Sequence, residues 1–168
     1  MNKKVFIGID NGVSGTIGVI SDKGNKFIKT PVFSTLKYTK KKANITRVNH
    51  KELHKFLKDV ISGYDISEVI CGLERPMVNP TRFNASASAL RAFEATLIVL
   101  ENLDIPYFYI DSKEWQKNLL PKGIKGNIQL KRASLSVGNR LFPEFKNFKH
   151  SDRDGILIAE HIRNKYNG

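Results

Sequence analysis

The sequence is poor in cysteine, in long apolar runs and in acidic residues, and each shortage excludes a class of protein. Its one cysteine, Cys71, lies inside an apolar segment, so an internal disulfide and a cysteine-based zinc site are both excluded. No apolar stretch approaches the roughly 20 residues that a membrane-spanning helix needs. The first residues lead straight into a predicted strand, without the apolar core and cleavage site of a signal peptide. We therefore expect a cytoplasmic protein that has no membrane partner.

The shortage of acidic residues leaves a large positive charge. The 168 residues include 28 Lys and Arg against 16 Asp and Glu, a net charge of +12. Such a balance favours polyanionic partners, nucleic acids above all, over a small-molecule substrate. The basic residues cluster in two regions, Lys37, Lys40, Lys41 and Lys42 in the first and Lys113, Lys117, Lys122, Lys125, Lys131 and Arg132 in the second. A solvated surface on a basic protein is the alternative interpretation.

Hydrophobic periodicity predicts an α/β fold in a single domain that spans residues 1–168. The predicted strands cover residues 5–10, 15–21, 26–31, 68–73 and 107–110. The predicted helices cover residues 85–103, 113–120, 129–142 and 151–165, with one more between the cap Asn49 and the stop Gly63. This order predicts a sheet of mixed direction, and the small residues of helix 85–103 favour it as the central buried helix. Residues 37–47 are expected to form a lysine-rich loop, 75–84 a proline-punctuated loop, and 121–127 a basic glycine loop that can approach a phosphate.

Two carboxylates differ from the other acidic residues because each follows a buried strand directly. Asp10 ends the run Val5-Phe6-Ile7-Gly8-Ile9, and Glu74 ends Val69-Ile70-Cys71-Gly72-Leu73. Acids on predicted helices, such as Glu160, are expected to face solvent instead. If the two strands are neighbours, Asp10 and Glu74 meet at one sheet edge and repel each other unless a cation intervenes. Oxygen-only ligands of this kind suit Mg²⁺ or Mn²⁺.

The last predicted helix supplies further candidate ligands in His150-Ser151-Asp152-Arg153-Asp154. Asp154 shares a helix face with Ile158 and His161, so it is expected to point towards the sheet. Asp152 lies about 200° around an ideal helix from Asp154 and reaches the same site only from an irregular first turn. His150 and Ser151 compete with it for a fourth position. Alternatively, the acids only cap the helix, because Ser151 and Asp154 match a helix-start pattern.

Three segments together resemble the RuvC family of Holliday-junction resolvases, in particular its shorter, phage-type members. They are Ile7-Gly8-Ile9-Asp10-Asn11-Gly12, Leu73-Glu74-Arg75-Pro76 and Asp152-Arg153-Asp154-Gly155-Ile156-Leu157. The resemblance covers nearly the whole chain in the right order. It implies a ribonuclease-H-like fold with a central five-stranded mixed sheet flanked by helices. It also implies a homodimer, branched DNA as substrate, and a metal-dependent endodeoxyribonuclease whose acids bind two Mg²⁺ or Mn²⁺ ions per active site.

The resemblance also assigns roles to residues of this chain. Asp10, Glu74, Asp152 and Asp154 would hold the metals, with Asp10 bridging both, and Lys117 and Lys125 would assist catalysis at the phosphate. The family spaces its last two acids Asp-x-x-Asp, whereas Ser151 stands three residues before Asp154 here, which leaves Asp152 out of register. Met77 stands where the family has a wedging phenylalanine, and Phe83 is our candidate to replace it. The expected DNA contacts are Lys40, Lys41, Lys42, Arg75, Met77, Arg82, Phe83, Lys113, Lys122, Lys125 and Lys131.

Two alternative functions fit parts of the sequence. A non-catalytic or RNA-directed nucleic-acid-binding module on the same fold is favoured if Asp152 and Asp154 are only helix caps. A phosphotransferase of the actin and sugar-kinase class is suggested by Asp10-Asn11-Gly12 followed by Ser14-Gly15-Thr16, which resembles a phosphate loop. Those proteins need a second nucleotide-binding half, for which 168 residues leave no room.

Overall fold

The computed structural model describes residues 3–167, which form a five-stranded sheet, a separate two-stranded ribbon and surrounding helices. The strands are β1 (Val5–Ile9), β2 (Thr16–Ser21), β3 (Lys26–Lys29), β4 (Val32–Leu36), β5 (Asn44–Val48), β6 (Val69–Glu74) and β7 (Tyr107–Ile110). The α-helices are α1 (His50–Ile61), α2 (Phe83–Asn102), α3 (Ser112–Leu119), α4 (Asn127–Leu141) and α5 (Asp154–Asn167). Among these helices, none is both long and apolar enough to cross a lipid bilayer.

The main sheet has the strand order β3-β2-β1-β6-β7. Its central strand β1 is antiparallel to β2 and parallel to β6, and β7 continues parallel to β6. This confirms the predicted five-stranded mixed sheet flanked by helices. Because β1 and β6 are parallel neighbours, Asp10 and Glu74 lie at the same edge of the sheet, which we call the carboxylate edge.

Each face of the sheet is covered by its own helical layer. Val5, Ile7 and Ile9 of β1 belong to a core that also contains side chains of α1 and α2. Phe6 points the other way, into a core built with residues of α3, α4 and α5. Burial on both faces explains why β1 is apolar at every position instead of alternating.

The central buried helix is α5, and the prediction that helix 85–103 holds this place is wrong. A methyl group on Gly8 or Gly18 would overlap the backbone of α5, so these two glycines allow the helix to lie directly on the sheet. Helix α2 begins earlier than predicted, at Phe83, and keeps an exposed apolar side with Leu90 46% and Ile98 47% exposed. Gly155 of α5 contributes in the same way, because a methyl group there would lie 2.6 Å from the carbonyl oxygen of Thr16.

Residues 37–47, predicted as a loop, form a loop over residues 37–43 only, because residues 44–47 belong to the second strand of a β-hairpin. Strands β4 and β5 pair antiparallel from Val32 opposite Val48 to Leu36 opposite Asn44, which leaves only residues 37–43 as the connecting tip. We call residues 32–48 the hairpin. Most of its side chains are exposed, so the sequence lacks the alternation of apolar and polar residues that marks a half-buried strand.

Two further expectations about α5 are wrong. The helix begins at Asp154 and not at Ser151, so Asp152 precedes it in an irregular segment. Glu160 does not face solvent: it is 6% exposed and forms an ion pair with Arg163 at 2.7 Å. The buried position is tolerated because the arginine one turn later supplies the counter-charge.

Candidate metal centre

Four carboxylates converge at the carboxylate edge. Asp10 follows β1, Glu74 ends β6, Asp154 begins α5, and Asp152 stands two residues before it. One oxygen from each of Asp10, Asp152 and Asp154 lies within 4.8 Å of the others. Glu74 lies beside this group, where the indole nitrogen of Trp115 donates a hydrogen bond to its Oε2 at 2.9 Å. The parallel pairing of β1 and β6 and the close seating of α5 bring these distant residues together.

The four carboxylates carry more negative charge than the cationic side chain beside them balances. Burial raises the pKa of Asp10 well above its ordinary range, and the charges of Asp154, Glu74 and Asp152 raise it further. Burial and the charge of Asp152 raise the pKa of Asp154 to about 7. Lys131 is the nearby cation, with its ammonium 3.7 Å from Oδ2 of Asp152. An all-oxygen donor set with too little counter-charge fits Mg²⁺ or Mn²⁺.

The raised pKa of Asp154 predicts how the stability of the metal-free protein depends on pH. In the unfolded chain an aspartate ionises near pH 3.9, whereas Asp154 in the fold resists ionisation up to about pH 7. The free energy of unfolding should therefore fall as pH rises from 5 to 7, by roughly 1 kcal/mol per pH unit from this group. Urea unfolding at pH 5, 6 and 7 in EDTA measures the slope.

The Asp154→Asn variant is the control for this pH dependence, because it removes the titrating group and keeps its shape. Its slope should be smaller than that of the natural chain by the contribution of one proton. Added Mg²⁺ or Mn²⁺ should flatten the slope of the natural chain, since a cation favours ionised carboxylates. Equal slopes for the two proteins in EDTA would contradict the assignment of the raised pKa to Asp154.

Asp152 is held in place by the backbone around it. It is 2% exposed, and its Oδ1 accepts a hydrogen bond from the backbone N–H of Asp154 at 3.2 Å. Its own backbone N–H donates to Nδ1 of His150 at 3.3 Å, and Nε2 of His150 reaches the carbonyl oxygen of Ser14 at 3.2 Å. Both ring nitrogens of His150 are thus engaged by backbone groups. Ser151 is exposed and donates to Oδ2 of Asp152 at 3.4 Å.

A buried arginine fixes the segment that carries Asp152. Arg153 is 1% exposed, and its Nε donates to Oδ1 of Asn139 at 3.0 Å. Its two terminal nitrogens donate to four backbone carbonyls at 2.8–3.3 Å, which belong to Phe145, Phe148, His150 and Asp152. A guanidinium has five N–H donors, so each of them has a partner. The connection between α4 and α5 is therefore locked in one conformation.

Sequence reasoning missed three polar residues that support the carboxylates. The hydroxyl of Ser134 on α4 donates to Asp154 and accepts from the backbone N–H of Arg153 at 3.0 Å. The hydroxyl of Thr16 accepts from the N–H of Gly155 at 2.9 Å, and so holds the start of α5 against β2. Trp115 is buried, and its hydrogen bond to Glu74 has no counterpart in the sequence pattern. The signal available was the occurrence of Ser134 beside Ala133 and Gly138 on one packed helix face.

The lysines predicted around the site are placed unequally. Lys131, expected only to contact DNA, has the ammonium that reaches the carboxylates. Lys113, Lys117 and Lys122 line a groove of roughly 290 Å³ between α3 and the loop after it. Lys125 is exposed in that loop. The catalytic role expected for Lys117 and Lys125 stays a prediction.

The loop after β6 presents apolar side chains to solvent. Met77 is 82% exposed, and Phe83, placed in this loop by the sequence analysis, is instead the first residue of α2 and 76% exposed. Arg82 is exposed next to it. Arg75 is held by Asp111 at 3.1 Å and lies over the ring of Tyr109, 5.0 Å from its centroid. Exposed apolar side chains next to arginines are typical of a contact surface.

Comparisons with known proteins identify the fold. No protein-family model and no curated protein matches the sequence. The structure is similar to that of Thermus thermophilus RuvC in complex with a Holliday junction substrate, with a TM-score of 0.57 and 11% identity over 98% of this chain and 95% of that one. A second structure of Thermus thermophilus RuvC gives a TM-score of 0.51 and 12% identity over 97% and 95% of the two chains. The predicted ribonuclease-H-like fold is confirmed in the form that RuvC has.

Proposed function

We propose that the protein is a metal-dependent endodeoxyribonuclease that resolves four-way or other branched DNA, with a place in recombination and repair. The observation that carries the proposal is the convergence of Asp10, Glu74, Asp152 and Asp154 at one sheet edge. The RuvC fold supports it, since one of the similar structures holds a Holliday junction substrate. The net charge of +12 suits a DNA partner. The finer proposals of a phage-type enzyme and a cytoplasmic site of action rest on the sequence.

The carboxylates would hold two Mg²⁺ or Mn²⁺ ions. Bound ions of this kind activate a water nucleophile and stabilise the leaving oxygen of a phosphodiester. The charges of Asp154, Glu74 and Asp152 all act on Asp10, so Asp10 would be the carboxylate that contacts both ions. Trp115 orients Glu74, and Ser134 orients Asp154. Ligands held in this way by neighbouring groups need little reorganisation to bind metal.

The chain's cations would hold the substrate. Lys131 lies beside Asp152 and would neutralise charge on the phosphate that is cut. Lys117 and Lys125 would assist catalysis at the same phosphate. Lys113 and Lys122 would contact phosphates farther along the strand, and Arg75, Met77, Arg82 and Phe83 would contact the branch. A homodimer would place two sites symmetrically on opposing strands, so that paired cuts resolve the junction.

Cleavage assays on matched DNA test this proposal. A four-way junction and a linear duplex with the sequence of one arm are incubated with Mg²⁺, Mn²⁺ or EDTA. We expect paired cuts near the branch with either metal, none in EDTA, and little cutting of the duplex. Equal cutting of both substrates would contradict the structure selectivity, and no cutting with either metal would contradict the nuclease assignment.

A non-catalytic binding module is the second candidate, and one observation favours it. Oδ1 of Asp152 caps the N–H of Asp154, as expected if these acids only start a helix. Calorimetric titration with Mn²⁺ separates the two functions. A binding module would bind junction DNA without binding metal at this site, whereas the nuclease must bind Mn²⁺ with the loss of protons from carboxylates.

A further inference from the structure

The chain around the hairpin is free of acidic residues over a long stretch. Residues 23–51 lie between Asp22 and Glu52 and contain nine Lys or Arg and no Asp or Glu. The hairpin occupies the middle of this stretch, and Lys37, Lys40, Lys41 and Lys42 lie at or near its tip. In a chain with 16 acidic residues, this segment carries uncompensated positive charge into solvent.

The hairpin leaves the sheet at the carboxylate edge. Lys29, the last residue of β3, pairs with Thr16, which follows the turn after Asp10. The N–H of Thr30 donates to the carbonyl oxygen of Gly15 in that turn at 2.9 Å. The N–H of Asn49 donates to Pro31 at 2.8 Å and closes the base of the hairpin. The basic hairpin is therefore anchored beside the loop that carries Asp10.

Contacts with α2 hold the hairpin near the metal centre. Nη1 of Arg91 donates to the hydroxyl of Tyr38 in the tip at 3.3 Å. Two residues before Arg91 on the same helix, the carbonyl oxygen of Ala89 accepts from the side-chain amide of Asn11 at 3.2 Å. Asn11 is the neighbour of Asp10 in the chain. Helix α2 thus joins the tip of the hairpin to the loop of the metal centre.

The second basic region leaves the sheet at the opposite side. Strand β7 ends at Ile110 opposite Glu74, and the segment with Lys113, Lys117 and Lys122 follows it. β3 and β7 are the two edge strands, so four strand spacings of ~4.8 Å, about 19 Å, separate the two exits. The carboxylates lie between them on β1 and β6. At this distance, the hairpin and the segment with Lys113, Lys117 and Lys122 would contact different phosphates of a bound DNA.

We infer that the hairpin is a second DNA-arm surface, which makes the protein prefer branched to linear DNA. The inference rests on the proposed function and names how its substrate is selected. A linear duplex bound at Lys113, Lys117 and Lys122 does not contact the hairpin. The diverging arms of a branch contact both basic segments at once. Lys40, Lys41 and Lys42 bind phosphates of the second arm, and the joint contact at two surfaces supplies the selectivity.

The test replaces Lys40, Lys41 and Lys42 together by alanine and measures binding in EDTA, where no cleavage occurs. Fluorescence anisotropy is recorded with a labelled four-way junction and with a linear duplex at several NaCl concentrations. We expect the junction affinity to fall at least ~10-fold at 0.1 M NaCl, and the slope of log affinity on log salt to shrink by about 2 to 3. The duplex affinity should fall less than ~3-fold.

The matched control replaces Lys26, Lys55 and Lys58, three exposed lysines outside the hairpin, and loses the same charge. It should change either affinity less than ~2-fold. Equal losses in the two triple variants, or equal losses on junction and duplex in the hairpin variant, would overturn the inference. Because binding is measured without metal, this result does not depend on cleavage. A protein that prefers junctions through its hairpin but never cuts them refutes the nuclease and keeps the inference.

Discussion

Replacing Asp10 by asparagine is expected to lower the rate of junction cleavage at least about a thousandfold, while junction binding in EDTA is retained. An oxygen of Asp10 lies within 4.8 Å of both Asp152 and Asp154, and the charge of Glu74 acts on Asp10 as well, so in the proposed centre it would be the carboxylate that contacts both ions. Asparagine keeps the size of the side chain and removes the charge. The loss should therefore appear in the chemical step and in metal affinity, and not in the fold or in the DNA contacts.

A second readout of the same variant does not depend on activity. Burial and three neighbouring carboxylates raise the pKa of Asp10 and disfavour its ionised form, so the neutral amide should increase the stability of the metal-free protein at pH 7.5. The matched control is Asp59→Asn on the exposed side of α1, which should change neither cleavage nor stability noticeably. Full cleavage by Asp10→Asn would refute the metal centre. Lost cleavage together with a clear loss of stability would instead indicate a purely structural role.

Asp10 and Glu74 could be singled out from a local pattern, whereas the pairing of their two strands entered the prediction only as a condition, which the sheet topology fulfils. Two apolar runs, each ending in a carboxylate, are unusual in a sequence, and parallel neighbours align their ends. Asp154 was predictable from helical periodicity, since Ile158 on the same face is fully buried. Local patterns therefore sufficed for the residues whose geometry is set by regular strands and helices.

The groups that orient the carboxylates were not predictable in the same way. Arg153 and Glu160 are charged, and sequence reasoning places charged residues at the surface unless a partner is known. Their partners are backbone carbonyls of an irregular segment and an arginine one turn away. The contacts of Arg153 exist only after the chain between α4 and α5 has folded. The hairpin was missed for a different reason: most of its side chains are exposed, so its strands carry no alternation of apolar and polar residues.

The positions of Asp152 and Asp154 show that a helix-start pattern in the sequence can place the start of a helix wrongly. Ser151 with Asp154 three residues later matches a helix start, and the sequence therefore predicted a helix from residue 151. In the structure the side chain of Asp152 lies at the helix start instead, where its Oδ1 accepts from the N–H of Asp154. The helix begins at Asp154, so the separation of about 200° that an ideal helix would impose between Asp152 and Asp154 does not apply. A residue before the helix is free of helical geometry, so both acids can face one site.

This geometry predicts opposite results for two neighbouring substitutions. Asp152→Asn should lower junction cleavage at least ~100-fold and weaken Mn²⁺ binding at least ~10-fold, whereas Ser151→Ala should stay within ~3-fold for both. Asp152 is 2% exposed and lies close to the carboxylates of Asp10 and Asp154. Ser151 is exposed, and its hydroxyl only donates a hydrogen bond to Asp152. The amide oxygen of asparagine can still accept from the N–H of Asp154. The helix start is therefore preserved, and the variant removes only the charge.

Cleavage rates at saturating Mg²⁺ and Mn²⁺ affinities from calorimetry check this pair of variants, with thermal unfolding as the control for folding. An unchanged melting temperature together with weak metal binding in Asp152→Asn would identify Asp152 as the fourth ligand. The reverse pattern, with Ser151→Ala inactive and Asp152→Asn active, would identify Ser151 as the fourth metal ligand. Asp152 would then be a helix cap whose charge is balanced by Lys131 at 3.7 Å. The chemistry of the centre would in that case rest on three carboxylates and one hydroxyl, a set with less negative charge and weaker affinity for a second ion.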